Sequence, residues 1–169
     1  MAFNDIQNHV EEKQKAYRKG VSALILNKNN AVLLVNLESF ETKFYAIPGG
    51  GVDSGESLED TVYREIHEEL SISKNSLEFI GMGKEPVRLL FKTQKLNRDG
   101  VEYDGMERVF FGFRFIGEDS EIVLQPEEVR TYKWVAWLDL KDYLLFDNQL
   151  EDTTLKLLEI FPFLIDKNS

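Results

Sequence analysis

Pro48-Gly-Gly-Gly-Val-Asp-Ser-Gly-Glu-Ser-Leu-Glu-Asp-Thr-Val-Tyr-Arg-Glu-Ile-His-Glu-Glu-Leu-Ser-Ile72 runs from a glycine-rich loop into a strongly periodic segment. Leu58, Val62, Ile66 and Leu70 recur every four residues and lay one apolar stripe along a helix. Ser54 and Ser57, with Glu56 between them, are start signals for it. Glu65, Glu68 and Glu69 stand at i, i+3 and i+4, so three carboxylates share one face within roughly one turn. Like charges at that spacing repel by about 0.2–0.5 kcal/mol per pair, and Arg64 can serve one carboxylate but not three. Clustered carboxylate oxygens suit a hard divalent ion, Mg²⁺ or Mn²⁺. Two such ions would polarise phosphoryl oxygens and activate a water. The plain alternative is a solvated helix face in an acidic chain. Against it stands the approach through Gly49, Gly50, Gly51 and Gly55, which lets main chain come close to a ligand or ion. The lysine of a phosphate-binding P-loop is missing.

Working outward, residues 5–17 are polar with sparse apolar positions and read as a weakly anchored N-terminal helical extension over 1–17. Val21–Leu26 and Ala31–Val35 flank an Asn-rich turn and predict a hairpin, and Phe44–Ile47 a short strand ended by Pro48. Further strands are predicted at Leu77–Met82, Val87–Lys92, Arg108–Phe115 and Thr131–Trp137. Thr93–Gly105, polar and glycine-punctuated, reads as a long loop that could close over a ligand. Helical patterns at Leu138–Phe146 and Asp152–Leu164 complete the chain. Strands interleaved with helices predict an α/β or α+β sandwich with a mixed β-sheet between helices, one domain over residues 1–169.

Composition narrows the function classes. At 43% hydrophobic and 12% aromatic residues the chain has material for a core, and disorder is disfavoured. No cysteine is present, so disulfides and thiol nucleophiles are excluded. Two histidines, His9 and His67, leave little for a histidine metal cage. The N-terminal residues lack a signal-peptide pattern and no apolar run could span a bilayer, so a cytoplasmic protein with no membrane partner is expected. A net charge of −10 disfavours non-specific nucleic-acid binding.

Gly50, Glu56 and the run Arg64-Glu65-Ile66-His67-Glu68-Glu69, at this spacing, resemble the Nudix box, which covers Gly50–Ile72 here. Ser71 stands where the box has a helix-ending glycine and is expected to alter that turn without disturbing the carboxylates. The resemblance implies a Nudix-type α/β/α sandwich and metal-dependent hydrolysis of a nucleoside diphosphate linked to another group, by water attack on phosphorus. It implies Glu65, Glu68, Glu69 and the carbonyl of Gly49 as metal ligands, and a Glu56–Arg64 pair that fixes loop to helix. Tyr17–Val21, Phe110–Phe115 and Pro126–Trp134 are similar to bacterial RNA 5′-pyrophosphohydrolases and their dinucleoside-polyphosphate-cleaving relatives. That similarity implies Glu128 as a metal-supporting or water-activating glutamate, with Glu127 its rival, and Arg18 as a phosphate contact. Gly49 replaces the glutamine usual in those relatives and is as in nucleotide-pool-cleaning members, and Pro86 is similar to ADP-ribose-cleaving ones.

Phe44 and Tyr45, just before the glycines, are the candidates for stacking on a base, with Lys43 and Lys133 as further substrate contacts. Phe110, Phe111 and Phe113 are expected in the core, and His67 at a surface or edge. Lys84, Arg88, Lys92, Lys95 and Arg98 form a basic stretch, a solvated face or a guide for polyphosphate. The charge balance ranks small nucleotides (triphosphates or dinucleoside polyphosphates) above an RNA 5′ end as substrate. A non-catalytic nucleotide-sensing module is the rival class, and the expected assembly is a monomer or homodimer.

Overall fold

The structure, a computed structural model, describes residues 14–96 and 100–166. Its frame is a seven-stranded mixed sheet made of β1 (Tyr17–Leu26), β2 (Ala31–Leu37), β3 (Gly49–Gly51), β4 (Leu77–Met82), β5 (Val87–Leu96), β6 (Glu102–Phe115) and β7 (Val129–Ala136). The main order is β4-β6-β1-β2-β7, with β3 added to β1 and β5 to β6. β1 and β6 are parallel neighbours from Tyr17↔Gly105 to Leu26↔Arg114, and every other pairing is antiparallel. Val21 to Leu26 is buried throughout, as a central strand covered on both faces must be.

Alternation along β1 sorts the two faces. Val21, Ala23 and Ile25 join Leu33, Val35, Phe111 and Phe113 beneath helix α1 (Leu58–Leu70) through Val62, Ile66 and Leu70. Leu24 and Leu26 join Leu34, Phe110 and Leu140 on the opposite face, beneath helix α2 (Gln149–Ile160) through Leu157 and Ile160. The four-residue helix α3 (Phe163–Asp166) closes that layer. The α/β/α sandwich with a mixed sheet is the architecture expected. No described helix is long and apolar enough to cross a membrane.

Several local expectations are corrected. The N-terminal helix falls mostly outside the described residues; residues 14–16 have no regular structure, and Tyr17 already pairs in β1. Phe44–Ile47 makes one bridge, Val35↔Ala46, because the strand next to β1 is the glycine run β3 itself. Most of the expected loop Thr93–Gly105 is a continued hairpin, in which Lys95 pairs with Tyr103 and Leu96 with Glu102, while residues 97–99 lie outside the described residues. Its polarity reflects exposure, since an edge hairpin has no core face to fill. Residues Trp137–Asp142 form a 3₁₀ turn in place of the start of an α-helix, and the last helix breaks at Phe161–Pro162, where proline cannot donate to the ladder.

The turn at Ser71 keeps the shape a glycine would give it. Ser71 is left-handed (φ 58°, ψ 15°), its N–H donates to the His67 carbonyl at 2.9 Å, and its hydroxyl donates to the Val123 carbonyl at 2.8 Å. The hydroxyl offsets a conformation that costs a non-glycine residue about 1 kcal/mol. Ser71→Ala keeps that cost and loses the bond, so it should unfold at lower denaturant than Ser71→Gly, with about 1 kcal/mol between the two variants.

Candidate active site

Where β1 leaves its apolar stretch it pairs with three glycines, Gly20↔Gly51, Val21↔Gly50 and Ser22↔Gly49. Successive residues of a strand face opposite sides. A Cβ on Gly50 would overlap the Glu65 carboxylate, and a Cβ on Gly51 would overlap the Arg18 guanidinium. The bare strand β3 is thus a partition with an acid against one side and a base against the other. At Gly49 a Cβ would run into the Val21 carbonyl, so that position also demands glycine for closeness of approach.

Helix α1 is held to the loop by one arginine. Arg64 Nε donates to Glu56 Oε2 at 2.7 Å and Nη2 to Glu56 Oε1 at 2.8 Å, a two-point grip, while Nη2 also donates to the Gly51 carbonyl at 3.1 Å. Thr61 Oγ1 donates to Glu56 Oε1 at 2.6 Å. Hydrogen bonds from Arg64 and Thr61 hold the Glu56 carboxyl at a pKa of about 2. The expectation that Arg64 serves a single carboxylate is corrected. Its Nη1 also donates to Glu65 Oε1 at 3.0 Å and Glu68 Oε2 at 3.1 Å, and Asp53 lies at 3.5 Å.

Glu69 is outside that arginine's reach. It is buried, 5% exposed, and its Oε2 has no hydrogen-bond partner. Burial pushes its pKa up to about 8, helped by the Glu65 charge; the N–H of Gly49 and the charge of Arg108 act in the opposite direction. Glu65 is raised too, mainly by burial and against the pull of Arg64. Glu128 belongs to the same field, because its charge raises both Glu65 and Glu69. It is brought there by backbone ties: the N–H groups of Val123 and Gln125 donate to the carbonyls of Leu70 and Glu69, strapping this segment across the end of α1. Glu127 and Glu128 both sit in the exposed turn before β7, not on a strand, so strand alternation does not separate them.

A divalent cation fits this set by chemistry. The donors are hard carboxylate oxygens, and one is an orphaned oxygen in a buried place, which otherwise costs about 1–3 kcal/mol. Among the described residues no three acidic or histidine side chains converge into a ready cage as they stand, since Arg64 holds Glu65 and Glu68.

The other expected contacts fall elsewhere. Tyr45 is buried, 7% exposed, and sits edge-on to Tyr143 in the core beneath α2, so it is not available to stack on a base. Phe44 is half-buried and already stacked on Phe146, with ring centroids 4.5 Å apart. Buried Asn36 fixes it, donating to the Phe44 carbonyl at 2.6 Å. Lys43 lies over the Phe44 ring and Lys133 over the Tyr143 ring, beside this aromatic patch and with no contact to the carboxylates. His67 is exposed, and Phe110, Phe111 and Phe113 are core. In the basic stretch Arg88 is paired to Glu107 at 2.8 Å and Lys95 covers the Phe91 ring, while Arg98 lies outside the described residues.

One residue escaped the sequence reading. Arg108 of β6 is half-buried and donates to Ser22 Oγ at 3.2 Å and the Val21 carbonyl at 3.4 Å. Burial lowers its pKa from the ordinary arginine value. The visible signal was an arginine in phase with inward-facing Phe110, on a strand otherwise read as core.

The sequence matches the NUDIX domain family over residues 16–157, and the chain belongs to that family as one of its hydrolases. It is similar to the "RNA pyrophosphohydrolase" of Pelagibacter ubique, 34% identical over 129 residues that cover 74% of this chain and 78% of the relative. The "RNA pyrophosphohydrolase" of Zymomonas mobilis is 29% identical over 132 residues, 76% of this chain and 85% of the relative. Among solved structures, the E. coli dihydroneopterin triphosphate pyrophosphohydrolase superposes with a TM-score of 0.66 at 19% identity, over 90% of this chain and 99% of that one. A C. elegans Ap4A hydrolase binary complex gives a TM-score of 0.63 at 19% identity, over 87% and 98%. These last two likenesses establish the fold.

The raised pKa of Glu69 has a stability consequence. Its folded value, about 8, lies above the ordinary carboxyl value of 4.5, so ionising it disfavours the fold: the penalty is absent below about pH 4.5, grows up to about pH 8 and is constant above. With a chelator present, Glu69→Gln should therefore be more stable than the parent by a few kcal/mol, on the order of 1.4 kcal/mol per pKa unit, at pH 8. The gain should shrink as pH falls toward 5 in chemical denaturation.

Proposed function

We propose that the chain hydrolyses a phosphoanhydride bond of a nucleotide polyphosphate with the help of a divalent ion. The observation that carries this reading is the buried, unpartnered Oε2 of Glu69 beside Glu65 and the glycine strand. Glu65, Glu68, Glu69 and Glu128, with the carbonyl of Gly49, would hold Mg²⁺ or Mn²⁺. When bound, such an ion neutralises charge developing on phosphoryl oxygens and makes water a better nucleophile. Arg64 and Glu56 position the loop and the helix that carry these groups. Glu128 is the outer carboxylate of the cluster, exposed enough to meet solvent and to take a proton from an attacking water. Glu127 has no comparable electrostatic link to Glu65 or Glu69 among their principal influences, which favours Glu128 of the two.

For the substrate, an RNA 5′ end bearing a polyphosphate comes first, on the names and coverage of the relatives. Net charge ranks small nucleotides higher, but at about 0.15 M salt charges more than roughly 8 Å apart are largely screened, so the site's own cations weigh more than the −10 of the whole chain. A small nucleotide triphosphate or dinucleoside polyphosphate is the second reading, favoured by that net charge.

A phosphate-release screen with Mg²⁺ and Mn²⁺ over a 5′-triphosphorylated RNA, nucleoside triphosphates, dinucleoside polyphosphates and ADP-ribose tests both. Metal-dependent release from one class well above the others is expected. Glu69→Gln should lower kcat on that substrate by about a hundredfold or more while the variant stays folded. Equal turnover by parent and variant on every substrate would refute the role given to Glu69.

A further inference from the structure

Residues 38–44, which leave β2, belong to no strand, and two side chains take their carbonyls in place of a ladder. Buried Asn36 reaches the carbonyls of Glu41, Thr42 and Phe44 through Nδ2, at 3.2, 3.4 and 2.6 Å. Arg130 of β7 donates through Nη2 to the carbonyls of Glu38 and Phe40, both at 3.2 Å. Its Nη1 donates to Asn36 Oδ1, which joins the two sets. Glu38 Oε2 lies 3.4 Å from the same Nη2, but an ion pair this open to solvent adds little. The hold on the loop is in its main-chain carbonyls.

A β-bulge aims Arg130 at this loop. Asn36 stands opposite Thr131 and Leu37 opposite Val129, so Arg130 has no opposite number on β2. The extra residue lets Val129 face the core beneath α1 together with Tyr132, three positions on, where strict alternation would place them on opposite faces. The bulge falls two residues after Glu128. The N–H of Glu38 donates to the Glu128 carbonyl at 2.8 Å, and the N–H of Glu128 to the Gln125 carbonyl at 3.0 Å. Gln125 is in turn tied to the Glu69 carbonyl at 3.3 Å. The Glu128 carboxylate itself makes no ion pair or hydrogen bond among the described residues. Its place in the field of Glu65 and Glu69 is therefore set by its main chain.

We infer that Arg130 is a positioning residue for Glu128: its fork holds Glu38 in place, and the Glu38 N–H holds the Glu128 carbonyl. The part played by Glu128 rests on the hydrolase reading, while the clamp stands on its own geometry. Glu128 lies in an exposed turn between two ties, the strap across the end of α1 and the Glu38 bond. Releasing the second tie leaves the turn pinned from one side only. A misplacement of about 1 Å in a reacting group can lower turnover on the order of a hundredfold. Lysine cannot replace the fork, because one ammonium does not reach Asn36 Oδ1 and two carbonyls with the same fixed geometry.

The test reads the clamp without metal and its effect with metal. Amide hydrogen exchange of the metal-free full chain is compared for the parent, Arg130→Met and Arg130→Lys. In Arg130→Met the Glu38 amide should exchange about tenfold or more faster, with Val62 and Ile66 of α1 within about threefold of the parent. Arg130→Lys should fall between the two, and it carries the test if Arg130→Met fails to fold. In turnover assays on the substrate the phosphate-release screen identifies, Arg130→Met should lower kcat about tenfold with KM within about threefold. Glu128→Gln should lower kcat about a hundredfold, and adding Arg130→Met to it should cost no more than about twofold further, because the arginine acts through the glutamate. Unchanged exchange at Glu38 overturns the clamp. Losses in kcat that multiply in the double variant overturn the action through Glu128. Parental kcat in Glu128→Gln would refute the part given to that glutamate, and faster exchange at Glu38 in Arg130→Met would still uphold the clamp.

Discussion

Arg64 is the residue on which the rest of the site depends. Its two-point grip on Glu56, with a third bond to the Gly51 carbonyl, closes the loop from Val52 to Ser57 onto helix α1 and presses the glycine strand against Glu65. Each bond is charge-assisted and partly shielded from water, so each contributes more than an exposed surface pair would, roughly 1.5–3 kcal/mol against about 0–1. The same guanidinium touches Glu65 and Glu68, and its pKa is raised above the ordinary arginine range by the Glu56 hydrogen bonds. A single cation therefore organises Glu56, Glu65, Glu68 and Asp53 and does not reach Glu69.

That division of charge gives the site its chemistry. Glu56 is held low by Arg64 and is a structural anion; Glu69 is raised by burial and its Oε2 lacks a partner. Two carboxyls, one in the loop before α1 and one in its last turn, are thus driven in opposite directions by their surroundings. The wall of three glycines lets this cluster approach the sheet edge while Arg18 lies against its other side. An acidic side chain, Glu65, and a basic one, Arg18, then meet across one strand.

Much of this was legible in the sequence where local rules governed. The four-residue apolar period over Leu58–Leu70 gave the helix to the residue at its C-terminal end, and Leu77–Met82 matches β4 at both ends. The acid spacing was visible because helix geometry alone brings i, i+3 and i+4 together, whereas the Glu56–Arg64 pair came only from the family resemblance. What failed depended on distant partners. Phe44–Ile47 has the composition of a strand, but the edge of β1 was already taken by Gly49–Gly51, a sequence that propensity marks as loop. Tyr45 looked like a stacking ring and is core, packed edge-on against Tyr143 from a distant part of the chain. Arg108 could be found only by knowing that β6 runs beside β1, a parallel pairing between residues about ninety positions apart that no local pattern announces. Ser71 shows the converse: a side chain unsuited to its backbone geometry is tolerated because the hydroxyl finds the Val123 carbonyl, on a segment far along the chain.

The role proposed for Glu69, a buried cation ligand, requires its carboxyl to give up a proton when the ion binds. Calorimetric titration of Mn²⁺ into the protein near pH 7, repeated in buffers of different ionisation enthalpy, reads both binding and proton release. A carboxyl with a pKa of about 8 is mostly protonated there and must lose its proton to bind a metal ion. Binding accompanied by release of a large fraction of one proton, abolished in Glu69→Gln, is the predicted result. Binding with no proton release, or binding undiminished in Glu69→Gln, would contradict it.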